Sequence, residues 1–307
     1  MQDVTLEARA ARRDMLLGAA GLAAGAVGAT LAGLGGSVAH ALPATFPISI
    51  DATHLFYRYF IVPGVTSNWV DSRVVQSFNL APGEYSFQIA SGYYADFTFR
   101  VTTTGTIDYD VAYNGFLSGR DTSTLTIDGL LVTLDARYLS GSGVLLVAPL
   151  TNDDWITYRT IRLVPASYYS VQQGSGVVTN FNVKLGVDGH WAYAAAYDLG
   201  AGGFLSGAGT STLTFYGYPL LVDARASGGV GVTVQTIWGM PFSTTGVEYA
   251  CLLPARYFAL QVRSGVVSSA SFSLAPNGTF SIDPSATALL SLDTFRGLRR
   301  LNVIAPL

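Results

Sequence analysis

Apolar and polar residues alternate along residues 124–137. One side of an extended chain there carries leucine, isoleucine, valine and alanine, and the other carries threonine, aspartate and arginine. A period of two predicts short β-strands with one buried face and one solvent face. The same pattern returns 88 residues later, so that Gly115 corresponds to Gly203 and Asp135 to Asp223. A constant offset across separate motifs indicates an internal repeat.

The strand that ends in this aspartate has further copies. Residues 48–55 match residues 132–139, and residues 290–293 form a weaker fourth copy that ends at Asp293. A second shared element runs from a Leu-x-Pro motif into an alternating strand that ends in a turn. Dipeptides such as Asp-Gly and Asn-Gly at that point are typical of β-hairpins. The three turns are Thr104-Gly105, Asp188-Gly189 and Asn277-Gly278.

These repeats predict an all-β protein with about three internal repeats of roughly 84–89 residues, built as antiparallel sandwich-like or barrel-like units with a partial unit at each terminus. The third copy lacks the Gly-Phe-Leu-Ser-Gly segment, which predicts that one hairpin is deleted there. Two arrangements remain open: a closed pseudo-threefold assembly, or consecutive units that share strands at their junctions. The predicted segments are an export signal at 1–41, a partial unit at 42–77, full units at 78–160 and 161–250, and a truncated unit at 251–307.

Composition narrows the classes of function. Only 12% of the residues are charged and the net charge is −3, so no basic surface is expected to attract nucleic acid. Cys251 is the only cysteine, which excludes an intramolecular disulfide and a cysteine-rich zinc cluster. No metal and no cofactor are expected, because the chain has no metal-ligand spacing, no phosphate-binding loop and no Gly-x-Ser-x-Gly motif.

The N-terminal residues have the plan of an export signal. A charged start that contains Arg12 and Arg13 leads into a long Gly/Ala/Leu run, and Ala39-His40-Ala41 follows. These features resemble a twin-arginine signal peptide, although Met15 stands where the family usually has phenylalanine. The resemblance covers residues 1–41 only, and it implies export of the folded protein from a bacterial cell to the envelope, the periplasm or the exterior. An uncleaved N-terminal anchor is the alternative, since the apolar run is long enough to span a bilayer.

The repeated aspartate is the first candidate for chemistry. Asp135 and Arg137, like Asp223 and Arg225, are two positions apart on a strand and project from the same face. Because the motif recurs in every unit, an ion pair or a capped turn explains it better than a catalytic site does.

Two tryptophans at the predicted junctions are candidate binding residues. Trp69 is followed by Arg73, and Trp155 is followed by Arg159 at the same spacing. Exposed tryptophans of this kind would be platforms for sugar rings. Buried ones would pack between units with the arginine beside the ring, which is the favoured interpretation.

Residues that depart from the repeat are better site candidates than residues that keep it. Asp108 stands where the other copies have Ala192 and Ser281, and Tyr93 and Tyr94 stand where those copies have valines. Paired carboxylates beside aromatic faces are what glycoside hydrolysis requires, although surface hairpins carry the same residues for solubility. The candidate catalytic residues are Asp108, Asp110 and Glu84, and the candidate binding residues are Tyr93, Tyr94, Asp96, Trp69 and Trp155.

The sequence therefore predicts a secreted or envelope-associated all-β repeat protein that acts as a binding or structural module. The expected partner is a polysaccharide or another cell-surface component, with no nucleic acid and no membrane contact except through an uncleaved leader. A glycan-active hydrolase or lyase that uses carboxylates of the first unit is the alternative. A transmembrane β-barrel is a second alternative, because alternating strands with few charges suit one, but export in the folded state argues against it.

Overall fold

The structure is a computed structural model, and it describes residues 44–57, 59–90, 93–140, 144–147, 156–173, 178–227, 231–235, 242–263 and 266–304. Strands account for 54% of the part of the chain that the structure describes, which confirms the predicted all-β class. The predicted export signal, residues 1–41, lies outside the described residues. No helix within the described ranges is both long enough and apolar enough to cross a bilayer. Short 3-10 helices occur at Val111–Tyr113, Ala195–Tyr197, Leu199–Ala201, Arg225–Ser227 and Pro284–Ala286.

Three consecutive stretches carry the strands, and we call them the first (46–127), second (130–215) and third (218–303) modules. The strands of the first module are β1 (Phe46–Asp51), β2 (Tyr59–Phe60), β3 (Val70–Asp71), β4 (Gln76–Leu80), β5 (Gly83–Ala90), β6 (Tyr93–Val101), β7 (Ile107–Asp108), β8 (Leu117–Ser118) and β9 (Thr124–Ile127). Those of the second are β10 (Leu130–Asp135), β11 (Val144–Val147), β12 (Tyr158–Leu163), β13 (Ala166–Gln173), β14 (Val178–Leu185), β15 (Trp191–Ala192), β16 (Leu205–Ser206) and β17 (Thr212–Phe215). Those of the third are β18 (Tyr218–Asp223), β19 (Val232–Gln235), β20 (Phe242–Thr244), β21 (Val247–Leu252), β22 (Arg256–Arg263), β23 (Val266–Leu274), β24 (Phe280–Ile282), β25 (Leu290–Phe295) and β26 (Leu298–Val303).

Each module contains a four-stranded sheet of the same arrangement. The strand that ends in the repeated aspartate (β1, β10 or β18) lies inside the sheet, antiparallel to β4, β12 or β21 on one side. On its other side it runs parallel to β9, β17 or β26, which in turn pairs antiparallel with β8, β16 or β25. In β1 the buried residues Ile48 and Ile50 alternate with Ser49 and Asp51, as the period of two predicts.

A second layer of strands covers the buried face of these sheets. In the first two modules β5, β6 and β7 join β11, β13, β14 and β15 in one seven-stranded sheet, where Ala95 of β6 lies beside Ala166 of β13. The third module has its own sheet of β20, β19, β22, β23 and β24. Aromatic rings from the two sides meet in the core. For example, Phe181 on β14 contacts Phe204, which immediately precedes β16, with ring centroids 4.7 Å apart.

The structure corrects the assignment of Asp293 as a fourth copy of the repeated aspartate. Leu290 and Ser291 begin β25 and pair with β26 in the way that Leu117 and Ser118 pair with β9. The hairpin predicted to be deleted from the third module is therefore present. The pattern misled because alternation is the same on any strand with one buried face. The predicted boundaries after residues 77, 160 and 250 fall inside β4, β12 and β21, whereas boundaries at the aspartate strands leave every strand whole.

Two-residue connections join the modules. Asp128-Gly129 links β9 to β10, and Gly129 has a φ of +69°, a conformation that favours glycine. A Cβ atom at Gly129 would lie 2.7 Å from Leu55 Cδ2 and 3.2 Å from the carbonyl oxygen of Leu163, so the connection packs against both modules. The backbone N–H of Phe56 also donates a 3.0 Å hydrogen bond to the carbonyl of Arg162 in the second module.

The junction between the second and third modules repeats this arrangement with different side chains. Ser140 N–H donates to the carbonyl of Cys251 at 3.1 Å, as Phe56 does to Arg162 at the first junction. At the first junction, His54 Nδ1 lies 2.9 Å from a carboxylate oxygen of Asp128. At the corresponding place, the second junction has the stacked rings of two tyrosines. Their ring centroids are 4.6 Å apart, and the two residues are Tyr138 and Tyr216. The four-stranded sheets therefore follow one another along the chain and are fixed at each junction.

Candidate binding pocket of the second module

The repeated aspartate forms the ion pair and the capped turn that its spacing suggests. Arg137 Nε and Nη2 donate to the two carboxylate oxygens of Asp135 at 2.9 and 2.7 Å, and the backbone N–H of Arg137 donates at 3.2 Å. Asp223 and Arg225 repeat all three contacts. The hydrogen bond from the arginine holds the pKa of each carboxyl below its usual value. These aspartates terminate strands and are engaged in structure.

Asp108, the leading catalytic candidate, lies between two guanidinium groups. Arg100 Nη2 donates to one carboxylate oxygen at 2.7 Å, and Arg120 Nε donates to the other at 2.9 Å. These hydrogen bonds, with that from Arg100 the larger, lower the pKa of Asp108. A general acid at neutral pH needs a raised pKa, so this environment does not suit Asp108 for the acid role in glycoside hydrolysis.

The other two catalytic candidates are also engaged locally. Asp110 caps a 3-10 helix by accepting a 2.9 Å hydrogen bond from the backbone N–H of Ala112. Glu84 accepts a 2.7 Å hydrogen bond from the hydroxyl of Thr98 on the neighbouring strand. The three carboxylates thus have separate structural partners in the first module.

The candidate binding residues fall into different environments. Tyr94 is 51% exposed, and Asp96 forms an ion pair of 3.3 Å with Lys184 of the second module. Trp69 is half-buried. Arg73, the arginine that follows it, pairs with Asp71, because its Nε lies 3.0 and 3.1 Å from the two carboxylate oxygens.

Two of these candidates cannot be placed with their side chains. Trp155 and the side chain of Tyr93 lie outside the described residues. The arginine that follows Trp155, Arg159, has its guanidinium carbon 5.2 Å from the ring centroid of Phe56. That contact joins the second module to the first, in keeping with a packing role for this arginine.

An open pocket of about 370 Å³ lies in the second module, at a position that the sequence did not single out. Phe181 and Val183 of β14, which are core residues, contribute to its base. The other lining residues carry polar groups, tyrosine rings or small side chains. The remaining lining residues are Asn182, Lys184, Ala192, Tyr193, Ala194 and Tyr197.

The pocket occupies the place that an ion-pair cluster fills in the first module. Ala192 pairs with Lys184 as Asp108 pairs with Arg100, so these positions are equivalent. Ala208 likewise corresponds to Arg120. The N–H of the next residue, Gly209, donates to the carbonyl of Trp191 in β15 at 2.9 Å, just as the N–H after Arg120 donates to the carbonyl of Ile107 in β7 at 2.8 Å. The second module therefore has two alanines where the first has an aspartate and an arginine, and one of them, Ala192, lines the pocket.

The third module has Ser281 at the position of Ala192, and an ion pair two residues further along the chain. Arg256 and Ser271 both donate hydrogen bonds to the carboxylate of Asp283, which follows β24. These bonds lower the pKa of Asp283, that from Ser271 having the larger effect. The first and third modules thus carry ion pairs on or beside the strands that correspond to β14 and β15.

Tyr193 is held in a fixed position at the pocket. Its hydroxyl accepts a 3.1 Å hydrogen bond from the backbone N–H of Ala208 and donates a 3.1 Å hydrogen bond to Asp198. Asp198 also caps the 3-10 helix that begins at Leu199, through a 2.9 Å bond from the N–H of Gly200. Burial, with the bond to Asp198, raises the pKa of Tyr193 to about 12, so the ring stays uncharged.

The sequence singles out the repeat position of Asp108 and Ala192, and Ala192 lines the pocket of the second module. The exchange of Asp108 for Ala192 was visible in the alignment of repeats, and it was taken to mark a site where the carboxylate is present. In the structure two arginines donate hydrogen bonds to Asp108, whereas Ala192 lines the pocket of the second module. Lys184, Asn182 and Tyr193 were missed because nothing in their spacing shows that they share a cavity.

Comparison with known proteins supplies no assignment. The chain matches no protein-family model, and neither curated proteins nor solved structures give a significant match. Within the described part of the chain, no three His, Cys, Asp or Glu side chains are grouped closely enough to hold a metal ion.

Proposed function

We propose that the protein is an exported binding module of the bacterial cell envelope or exterior, and that it binds a glycan in the pocket of the second module. The observation that carries the proposal is this pocket, lined by tyrosine, asparagine and lysine, with Ala192 at the position where the first module has the ion-paired Asp108. A repeat that loses its filling side chains at one copy gains a concavity without losing its framework. Concave sites with a few polar groups are the usual form of ligand sites.

The chemistry of the pocket wall suits a sugar. Tyrosine rings present flat apolar surface, to which the C–H face of a sugar ring can pack, with a polar edge beside it. Asn182 supplies both an amide donor and an acceptor, and Lys184 supplies an ammonium donor. The hydroxyl of Tyr193 is held by its two hydrogen bonds, so its ring needs little further ordering when a ligand binds.

The direct test fills the pocket with the residues of the first module. The double variant Ala192→Asp with Ala208→Arg introduces the equivalents of Asp108 and Arg120, which are hydrogen-bonded to each other in the first module. We expect it to abolish retention of the protein on cell-wall polysaccharides and on a glycan array, with unchanged circular dichroism. Asp108→Ala, which alters the equivalent position of the first module, is the matched control and should keep binding. Equal binding by the filled variant and the natural chain would refute the assignment of the pocket.

Export is proposed from the N-terminal sequence. Arg12 and Arg13 followed by an apolar Gly/Ala run support a twin-arginine signal, removed after Ala41. Replacing both arginines by lysine should leave the protein in the cytoplasm of a bacterial host, while the natural chain is found outside it with Leu42 as its first residue. Export of the lysine variant at the natural level would contradict the twin-arginine route.

A further inference from the structure

The cation of the pocket is already paired with a carboxylate. Lys184 is the only lysine in the chain, and its Nζ lies 3.3 Å from Asp96 Oδ2. The side chain of Asp96 is 23% exposed, so its charge is only partly screened by water. A ligand carboxylate that approached Lys184 would also approach Asp96 and would be repelled by it. The net charge of −3 adds no long-range attraction for a polyanion.

Sugar hydroxyls suit this pair better than a ligand carboxylate does. A hydroxyl both donates and accepts, so neighbouring hydroxyls of one ring can give a hydrogen bond to Asp96 and receive one from Lys184 or Asn182. Hydrogen bonds that involve a charged group are about twice as strong as those between neutral groups. The rings of Tyr193 and Tyr197 offer apolar surface beside these polar groups.

We infer that the pocket of the second module selects uncharged glycans and discriminates against acidic ones. This inference rests on the proposed glycan-binding function and names its substrate class: neutral sugars with adjacent free hydroxyls. Asp96 has a specificity role in it, because its carboxylate both accepts from the sugar and cancels the charge of Lys184. The pair connects the first module to the second, so that the selectivity depends on both modules.

The test is affinity electrophoresis of the processed protein through gels that contain dextran, mannan, a soluble β-glucan or polygalacturonate, at about 20 mM and about 500 mM salt. We expect retardation by at least one neutral polymer at both salt concentrations and none by polygalacturonate. Lys184→Met and Asn182→Ala should each weaken the neutral interaction about tenfold, the loss that corresponds to one hydrogen bond. Asp96→Asn should make the protein bind polygalacturonate at the lower salt concentration, because Lys184 then has no compensating charge.

The possible failures can be told apart. Retardation by polygalacturonate alone would overturn the selectivity and leave the glycan-binding function standing. Retardation by none of the four polymers would overturn the proposed function and the selectivity with it. An Asp96→Asn variant that gains no affinity for polygalacturonate, although its unfolding midpoint in urea is unchanged, would show that Asp96 does not control the charge of the pocket.

Discussion

The junction between the first and second modules depends on one glycine, and replacing it provides a sharp test of how the modules are joined. Gly129 has a φ of +69°, and a Cβ atom there would lie 2.7 Å from Leu55 Cδ2 and 3.2 Å from the carbonyl oxygen of Leu163. Gly64, in contrast, has a φ of +80° but no heavy atom within 4 Å of an added Cβ. The two glycines share the backbone penalty and differ in packing.

The expected magnitudes follow from this comparison. Placing alanine in a left-handed conformation costs about 1–2 kcal/mol of folding free energy at either position. At Gly129 the contact with Leu55 and with the backbone adds an overpacking cost of about 1–3 kcal/mol. We therefore expect Gly129→Ala to lower the free energy of unfolding by about 2–4 kcal/mol, and Gly64→Ala by about 1–2 kcal/mol. Alanine also stabilises the fold by reducing the conformational entropy of the unfolded chain, and this contribution is the same for both variants.

Equilibrium urea unfolding of the processed protein, followed by far-ultraviolet circular dichroism, measures both values. Gly217→Ala should resemble Gly129→Ala, because its φ is also +69° and a Cβ there would lie 2.8 Å from Leu139 Cδ2. If Gly129→Ala and Gly217→Ala cost no more than Gly64→Ala, the connections are not packed between modules and the account of the junctions is wrong.

Three further predictions concern side chains described above. Asp135→Asn should cost about 1 kcal/mol at neutral pH, a value reduced because Arg137 is exposed. Since the folded-state pKa of Asp135 lies below its ordinary 3.8, the stabilisation is fully present well above pH 3.8 and is lost as the pH falls through the folded-state pKa, so the difference between variant and natural chain in urea titrations should shrink steadily as the pH is lowered below 3.8. Tyr193→Phe should cost about 1–3 kcal/mol by thermal or urea unfolding, because a backbone N–H loses its acceptor; in a spectroscopic pH titration the variant should lack one phenol that ionises near pH 12. Tyr138→Ala should lower the free energy of unfolding by about 0.5–1.5 kcal/mol more than the loss of its buried apolar surface accounts for, because the stack with Tyr216 is lost. A double-mutant cycle with Tyr216→Ala that gave no coupling energy would contradict this.

Much of the framework could be predicted from the sequence, because each strand has one face in the core. The alternation around Asp51, Asp135 and Asp223 identifies three strands that occupy equivalent places in their sheets. Parallel pairing of these strands could not be predicted, since a period of two is the same for parallel and antiparallel neighbours with one buried face. Asp293 was assigned to the wrong strand for the same reason.

The candidate site was harder to predict, because it depends on side chains that are small. Carboxylates attract attention in a sequence, yet the carboxylate of Asp108 is engaged by two arginines. Ala192 has no reactive group and becomes informative only when the residues around it are known. The pairing of Lys184 with Asp96 crosses from one module to the next, and no local spacing predicts such a contact.

The parallel pairing within each four-stranded sheet has a mechanical consequence. Tension applied to the two ends of the first module would pull β1 from its N-terminal end and β9 from its C-terminal end, and these strands are direct neighbours in parallel. The load would then run along both strands in opposite senses and shear all their hydrogen bonds at once, rather than peel them apart one by one. Because β10 follows β9 after two residues, the same tension would pass directly to the next sheet. A chain built in this way would resist stretching between two attachment points.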